Sequence, residues 1–244
     1  NLESIRREFV ANVSHELRTP VAIIKGFSDT LVTDYENLEP EEHQKFLEKI
    51  QRNADRLNIL LEDLLNLARL ENQNHSLRTD EIPVNKILDE ARDYISNRLS
   101  DSQKFVIQAP ENSLSVKVNE LKISQVIHNL LDNILKHANG FKTITLAVRS
   151  ENSGVWFDII DDGAGIPEKD LPHLFERFYR VDKGRSREKG GTGLGLSIVK
   201  HTILLHDGNV YAKSKVGQGT RISFFIPNHG RRNPKQAEPA PTME

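Results

Sequence analysis

Residues 41–71, EEHQKFLEKIQRNADRLNILLEDLLNLARLE, decide the first half of the fold. Leu47, Ile50, Ala54, Leu57, Leu61, Leu64 and Ala68 recur there in steps of three and four, a heptad seam that predicts a coiled-coil-like helix. Leu60, Leu65 and Leu67 widen the stripe, so this helix is expected to meet more than one neighbour. Upstream, Leu2, Ile5, Phe9, Val13, Leu17, Ile24 and Leu31 mark a second helix reaching about Thr33. Residues 34–40 connect the two with Asn37 and Pro40, and Glu41 and Glu42 suit the positive end of a starting helix. Together they form a helical hairpin carrying more apolar surface than either helix can cover on the other. The simplest closure is a four-helix bundle from two copies, a homodimer; the alternative is packing on the rest of the same chain.

Beyond this hairpin the periodicity changes. Asn72, Gln73, Asn74, His75 and Ser76 read as a polar hinge, assigned with its flank to 72–82. A helix is expected over 83–100, strands near 104–109 and 114–118, and an apolar helix from Glu120 to about His137. Alternation through Ile144, Leu146 and Val148, then through Val155, Phe157 and Ile159, predicts a strand pair turning at Asn152, Ser153 and Gly154. After a glycine-rich charged segment at 161–192 come a helix from Leu194 to His206 and strands near 209–214 and 220–226. The second unit, 83–227, is therefore expected to be an α+β sandwich with helices on one face of a sheet. Residues 228–244, rich in Pro, Asn and charge, read as a disordered tail.

Composition removes several function classes. The chain has 244 residues with 33 Lys+Arg against 35 Asp+Glu, a balance that argues against a nucleic-acid footprint or a polybasic membrane domain. Without cysteine there is no disulfide framework, thiolate metal site or cysteine nucleophile. No apolar run reaches the roughly 18 residues of a membrane span. Because the chain starts at Asn1 rather than Met, it reads as a fragment, with membrane anchoring expected only through regions upstream.

Four clusters can carry chemistry. His15 is followed by Glu16, Thr19 and Pro20; the proline should kink the helix beside the histidine, Glu16 can orient the ring or take its proton, and Thr19 can hold a water. Asn129, Asn133, Lys136 and His137 share one side of the apolar helix, where an amide oxygen suits Mg²⁺ and the cations suit phosphate. Asp161-Asp162-Gly163-Ala164-Gly165 follows a strand, and Gly191-Thr192-Gly193-Leu194-Gly195-Leu196 opens a helix, where backbone N–H groups can approach phosphate. Neither glycine run is a P-loop or a dinucleotide fingerprint. Between them, Phe175, Phe178, Tyr179 and Arg180 precede a polar stretch through Lys183, Arg185, Ser186, Arg187 and Lys189, the pattern of a lid over an anionic ligand.

Taken in order, these motifs resemble those of bacterial sensor histidine kinases. Residues 9–20 resemble the phosphoacceptor H box, Asn129–Asn133 with Lys136 and His137 the N box, and Asp161–Gly165 the G1 box. Leu174–Arg180 resembles the F box, Gly191–Leu196 the G2 box, and Gly217–Thr220 the last glycine box. The H box and the run from Arg180 to His206 look most similar to the phosphate-regulon sensor subgroup. The resemblance implies a dimeric phosphotransfer hairpin followed by an ATP-binding sandwich of the type shared with gyrase, Hsp90 and MutL. It implies His15 as phosphoacceptor, Glu16 as general base and Thr19 in the reverse, phosphatase reaction on a response regulator. It further implies that Asp161 reads adenine, Asn133 holds Mg²⁺, and Asn129, Lys136, His137 and Arg180 face the phosphates of ATP. Gly163, Gly165, Ile166, Phe175, Phe178, Tyr179, Gly191, Thr192, Gly193, Leu194, Gly195, Leu196 and Thr220 complete the implied ATP site. Two departures stand out: Ile134 where a small residue is usual and Asp207 where glycine is common, both expected to alter packing only. A gyrase/Hsp90-type ATPase and a non-catalytic dimeric scaffold are the rival readings.

Overall fold

The computed structural model describes residues 2–72, 77–151, 153–181 and 191–228. The hinge residues Gln73–Ser76, the turn residue Asn152, the lid cations Lys183 to Lys189 and the tail from 229 onward lie outside them. Helix α1 spans Leu2–Thr33 and α2 spans Pro40–Asn72, with a single 3-10 turn at Tyr35–Asn37 between them. The connection is held locally: Tyr35 and His43 stack at 4.6 Å, and the Glu42 carboxylate accepts from the Glu39 backbone N–H at 3.1 Å. Along the hairpin Phe27 and Phe46 meet at 5.0 Å, with the Lys49 ammonium over the Phe27 ring. Helix α1 continues through Pro20, whose ring is buried.

The second unit follows the expected order. Strand β1 (Asp80–Pro83) is followed by α3 (Val84–Ser96), β2 (Lys104–Gln108), β3 (Ser115–Val118) and α4 (Glu120–His137). Then come β4 (Thr143–Glu151), β5 (Gly154–Asp161), a 3-10 segment at Glu168–His173, α5 (Gly195–Leu205), β6 (Asn209–Lys215) and β7 (Gly219–Pro227). A five-stranded sheet runs β2-β4-β5-β7-β6, antiparallel except for the parallel β2–β4 pair, while β1 and β3 pair separately. Helices α3, α4 and α5 share one core with the apolar face of that sheet, where Ile127, Leu130, Leu131, Ile144, Leu146, Phe157, Val199 and Phe224 are all fully buried. Phe157 and Phe224 stack across β5 and β7 at 4.8 Å. Helix α4 begins at a side-chain cap, Asn119 accepting from the Lys122 N–H at 3.1 Å.

A smaller core joins the two units. Leu60, Leu67 and Leu70 of α2 bury themselves against Leu194 and Ile198 of the second unit, with Phe9, Leu17, Leu64, Phe178 and Leu205 at the rim. The wide stripe of α2 thus has an intrachain partner for one of its sides. Leu47, Leu61 and Leu65 stay half-exposed on this chain and share one side of α2, a strip that a bundle partner would cover.

The two departures noted in the sequence have different consequences. Asp207 sits at φ +57, directly after α5. The Gly208 N–H reaches Ile203 O and the Asp207 N–H reaches Leu204 O, a Schellman closure whose left-handed position favours glycine. Ile134 is buried and forms part of a cavity wall.

Candidate active site

A cavity of about 410 Å³ opens between α4, the glycine loop before α5 and the ends of β5 and β7. From α4 it receives Asn129, Asn133, Lys136 and His137; from the loops Gly165, Ile166, Tyr179, Arg180, Gly191, Thr192 and Gly193; and from α5 Gly195 and Leu196. Asp161 and Thr220 lie side by side at its sheet end, paired in register between β5 and β7. Its size suits a small ligand of drug or nucleotide dimensions. Four residues of the expected set are not on its wall. Phe175 packs into the main core, and Phe178 turns to the hairpin, its ring 5.9 Å from Phe9. Leu194 is fully buried between the two units, and Gly163 contributes through its backbone N–H to Asp161.

The adjacent acids Asp161 and Asp162 are separated by environment. Asp161 is 6% exposed and accepts the Gly163 N–H at 2.9 Å. Burial pushes its carboxyl above the ordinary range, opposed by backbone N–H groups of Gly163 and Thr220. Asp162 is exposed and points away, accepting the Lys142 and Thr143 N–H groups at 2.7 and 2.9 Å. Slight burial would raise it, but those donors outweigh burial and hold it below its usual range. Asp161 is therefore the cavity-facing carboxylate and Asp162 a clamp on the start of β4.

Two glycines let the backbone close at the sheet end of the cavity. Gly165 has φ +71, and a Cβ there would lie 2.1 Å from the Lys215 carbonyl oxygen. Gly219 has φ +93, and a Cβ would meet the carbonyl oxygen of Asp161 itself at 1.9 Å.

Mg²⁺ and ATP can be tested against the groups present. Asn133 lines the cavity, and its side-chain amide carries an oxygen of the kind Mg²⁺ takes as a ligand. Among the described residues no cluster of three His, Cys, Asp or Glu side chains could cage a metal. A single amide oxygen suits a Mg²⁺ that takes its remaining ligands from phosphates and water. The N-terminus of α5 and the glycine loop supply N–H groups for anions.

The hairpin contributes to this cavity, which no motif in the sequence foretells. Ile59 and Asp63 of α2 line it, and the Thr192 hydroxyl donates to Asp63 Oδ2 at 2.6 Å. Burial pushes the Asp63 carboxyl up, partly offset by the Thr192 hydrogen bond and by Lys136. On α1, the His15 side chain is 64% exposed, with Nδ1 3.8 Å from Glu16 Oε1. The other Glu16 oxygen is shared by two guanidinium groups, Arg180 at 2.9 Å and Arg56 at 3.0 Å. Thr19 Oγ1 donates weakly to the His15 carbonyl at 3.3 Å. One ion pair, Glu16–Arg180, thus links the histidine helix to the cavity wall.

A hairpin bearing an exposed histidine, joined to an α/β sandwich with a cavity of nucleotide size, has the two-domain architecture of a histidine kinase core. Comparison with known proteins gives the family. Residues 5–73 match the His Kinase A (phospho-acceptor) domain and residues 118–230 the Histidine kinase-, DNA gyrase B-, and HSP90-like ATPase domain. The chain belongs to the sensor histidine kinases, as a catalytic core with an ATP-binding second domain. It is 35% identical over 229 residues to the sensor histidine kinase WalK of Bacillus subtilis (strain 168), covering 93% of this chain and 37% of that protein. It is likewise 35% identical over 234 residues to the sensor protein kinase WalK of Staphylococcus haemolyticus (strain JCSC1435), again covering 93% of this chain and 37% of that one. The chain thus spans little more than a third of the length of these relatives. They carry the WalK name, so the expected kinship with the phosphate-regulon sensors finds no support. Among solved structures, histidine kinase ThkA in complex with response regulator protein TrrA superposes with a TM-score of 0.73 at 23% identity, over 96% of this chain and 64% of that one. Histidine kinase AdeS of Acinetobacter baumannii gives 0.68 at 23% identity, over 88% of this chain and 98% of that one. These two show that the fold is shared. Among the described residues no helix is long and apolar enough to cross a membrane.

Proposed function

We propose that this core phosphorylates its own His15 from Mg²⁺-ATP and passes the phosphoryl group to an aspartate of a response regulator. The observation that carries this reading is the link between the exposed His15, its neighbour Glu16 and the cavity residue Arg180. With Nδ1 toward Glu16, the outward Nε2 is the nucleophile. Its lone pair forms the N–P bond as the bond from the γ-phosphorus to the bridging oxygen breaks, releasing ADP. The Nδ1 proton passes to Glu16. Arg180 and Lys136 offset charge on the transferred group, Asn133 holds Mg²⁺, and Asp161 reads the adenine amino group. When bound, Mg²⁺ supplies charge neutralisation between phosphate oxygens.

Partner and assembly follow from the same reading. The strip of Leu47, Leu61 and Leu65 supports a homodimer, with the bundle presenting His15 to the receiver domain. Thr19, one turn after His15, places the hydrolytic water in a phosphatase reaction on the phosphorylated regulator. The WalK relatives, of which the chain covers 37%, support a core of that type within a longer sensor protein. A pulse-chase experiment tests the transfer: chain labelled with γ-labelled ATP is freed of nucleotide and mixed with a receiver domain. The reading expects label to leave the chain and appear on the receiver in an acyl-phosphate that hydroxylamine removes. Label retained on the chain with every receiver domain tried would refute the transfer step.

A further inference from the structure

The phosphotransfer chemistry leaves one partly exposed network without a role, and it ends at the phosphate side of the cavity. On α3, the Tyr94 ring stacks on His128 of α4 at 3.7 Å with an 11° interplanar angle, and the Arg98 guanidinium lies over the other face at 4.0 Å. The sandwich fixes two donors. The Tyr94 hydroxyl and Arg98 NH1 both reach Oδ1 of Asp132 at 2.8 Å, and Arg98 NH1 also donates to the Tyr94 hydroxyl at 2.8 Å. With Oδ1 taken, Oδ2 is left toward Lys136 Nζ, 3.6 Å away and one turn further along α4. The order, acid before base four residues on, is the favourable one on a helix. Asp132 and Lys136 both line the nucleotide cavity, beside Asn129 and Asn133.

A lysine is a point charge on a flexible stem, 43% exposed here, so it needs a local anchor to stay where phosphates arrive. We propose that Asp132, fixed by Tyr94 and Arg98, is a positioning residue that holds the Lys136 ammonium at the phosphate end of the cavity. The inference rests on the reading of Lys136 as a phosphate contact. Helix α3 then has two roles, since it covers the sheet and also fixes the charge geometry of α4 from behind.

The test measures binding of Mg²⁺-ATP and of adenosine to the parent chain, Asp132→Asn, Tyr94→Phe, Lys136→Ala and the double variant Asp132→Asn/Lys136→Ala. Asp132→Asn should weaken ATP by about two- to fivefold, the size of a partly exposed ion pair, and leave adenosine unchanged. Tyr94→Phe should act in the same direction more weakly, and Asp132→Asn should add no loss once Lys136 is alanine. Equal weakening of ATP and adenosine by Asp132→Asn would overturn the inference, since that pattern marks general damage to α4. A loss that persists in the Lys136→Ala background would overturn it as well, as would ATP affinity that is unchanged or tighter in Asp132→Asn. If Lys136→Ala itself binds ATP like the parent, the phosphate assignment of Lys136 fails and the inference with it. A weakened Lys136→Ala beside an unaffected Asp132→Asn sinks the inference alone.

Discussion

Replacing Asp161 by asparagine changes one atom at the sheet end of the cavity, where the proposed function puts adenine, and has a cost that can be worked from its contacts. The carboxylate offers only acceptors, and one oxygen already takes the Gly163 N–H at 2.9 Å. Asparagine keeps a single acceptor. If its oxygen stays on Gly163, its NH₂ faces the adenine amino group donor to donor; if it turns to the adenine, the Gly163 N–H loses its partner. At a residue 6% exposed, water does not repair either loss. Leaving one buried donor unpaired costs about 1–3 kcal/mol, which is about 5- to 150-fold in Kd. Calorimetric titration with ATP and with inosine triphosphate, whose ring carries a carbonyl in place of the amino group, reads this out. The parent should prefer ATP. Asp161→Asn should lose ATP affinity by the factor given and bind the inosine nucleotide at least as well as the parent does. A variant that binds ATP within about twofold of the parent would refute the assignment of Asp161 to adenine.

Three further outcomes are expected. Asp207→Gly should stabilise the chain by about 1 kcal/mol, because it relieves a left-handed residue in the Schellman closure of α5; urea unfolding should show a higher midpoint with an unchanged slope. His206 is buried with Nε2 accepting from the Asn119 N–H and Nδ1 against the Thr202 carbonyl, and burial depresses its pKa below 6.5. The unfolded chain therefore takes up the proton first, and this group's contribution is full above about pH 6.5 and lost as pH falls through the folded value. Melting temperatures should drop between pH 7.5 and 5.5, and His206→Gln should shrink the drop; an equal drop in both would contradict the neutral, buried ring. Leu67→Ala removes a side chain 1% exposed from the core shared by hairpin and sandwich, at a cost of about 2–5 kcal/mol. Small-angle scattering should then show a larger radius of gyration with helix content unchanged, whereas an unaltered radius would contradict a docking role for this contact.

The fold was legible wherever a period ran long enough to accumulate signal. The apolar helix was expected from Glu120 to about His137 and spans those residues, and the stripes of α1 and α2 ended within a residue or two of the expected turns. Strand β1 was missed because four residues ending in Pro83 carry no alternation; it exists only through pairing with β3, more than thirty residues on. The 3-10 segment at Glu168–His173, flanked by Pro167 and interrupted by Pro172, was equally silent. In the site, spacing on α4 was enough to gather Asn129, Asn133 and Lys136 because a helix enforces it. Which of Asp161 and Asp162 faces the cavity was not legible from spacing, since both follow the same strand and only the backbone donors around each decide. Contacts between the units were out of reach for a different reason. Glu16–Arg180 and Asp63–Thr192 join residues 164 and 129 positions apart, a separation that no local pattern encodes. Phe178 shows the same limit: its sequence suits a lid anchor, yet at φ +64 it turns its ring to Phe9 of the hairpin.

Acceptance of the γ-phosphoryl group of ATP by His15, with Asn133 as the Mg²⁺ ligand, is the central step of the proposed function. The decisive measurement incubates the purified chain with γ-labelled ATP and Mg²⁺, beside His15→Ala and Asn133→Ala, and follows label on the protein through acid and alkali. The parent should carry label that is lost in acid and survives alkali, as an N–P bond requires, and neither variant should carry any. Label that remains on His15→Ala, or that survives acid on the parent, would contradict this chemistry.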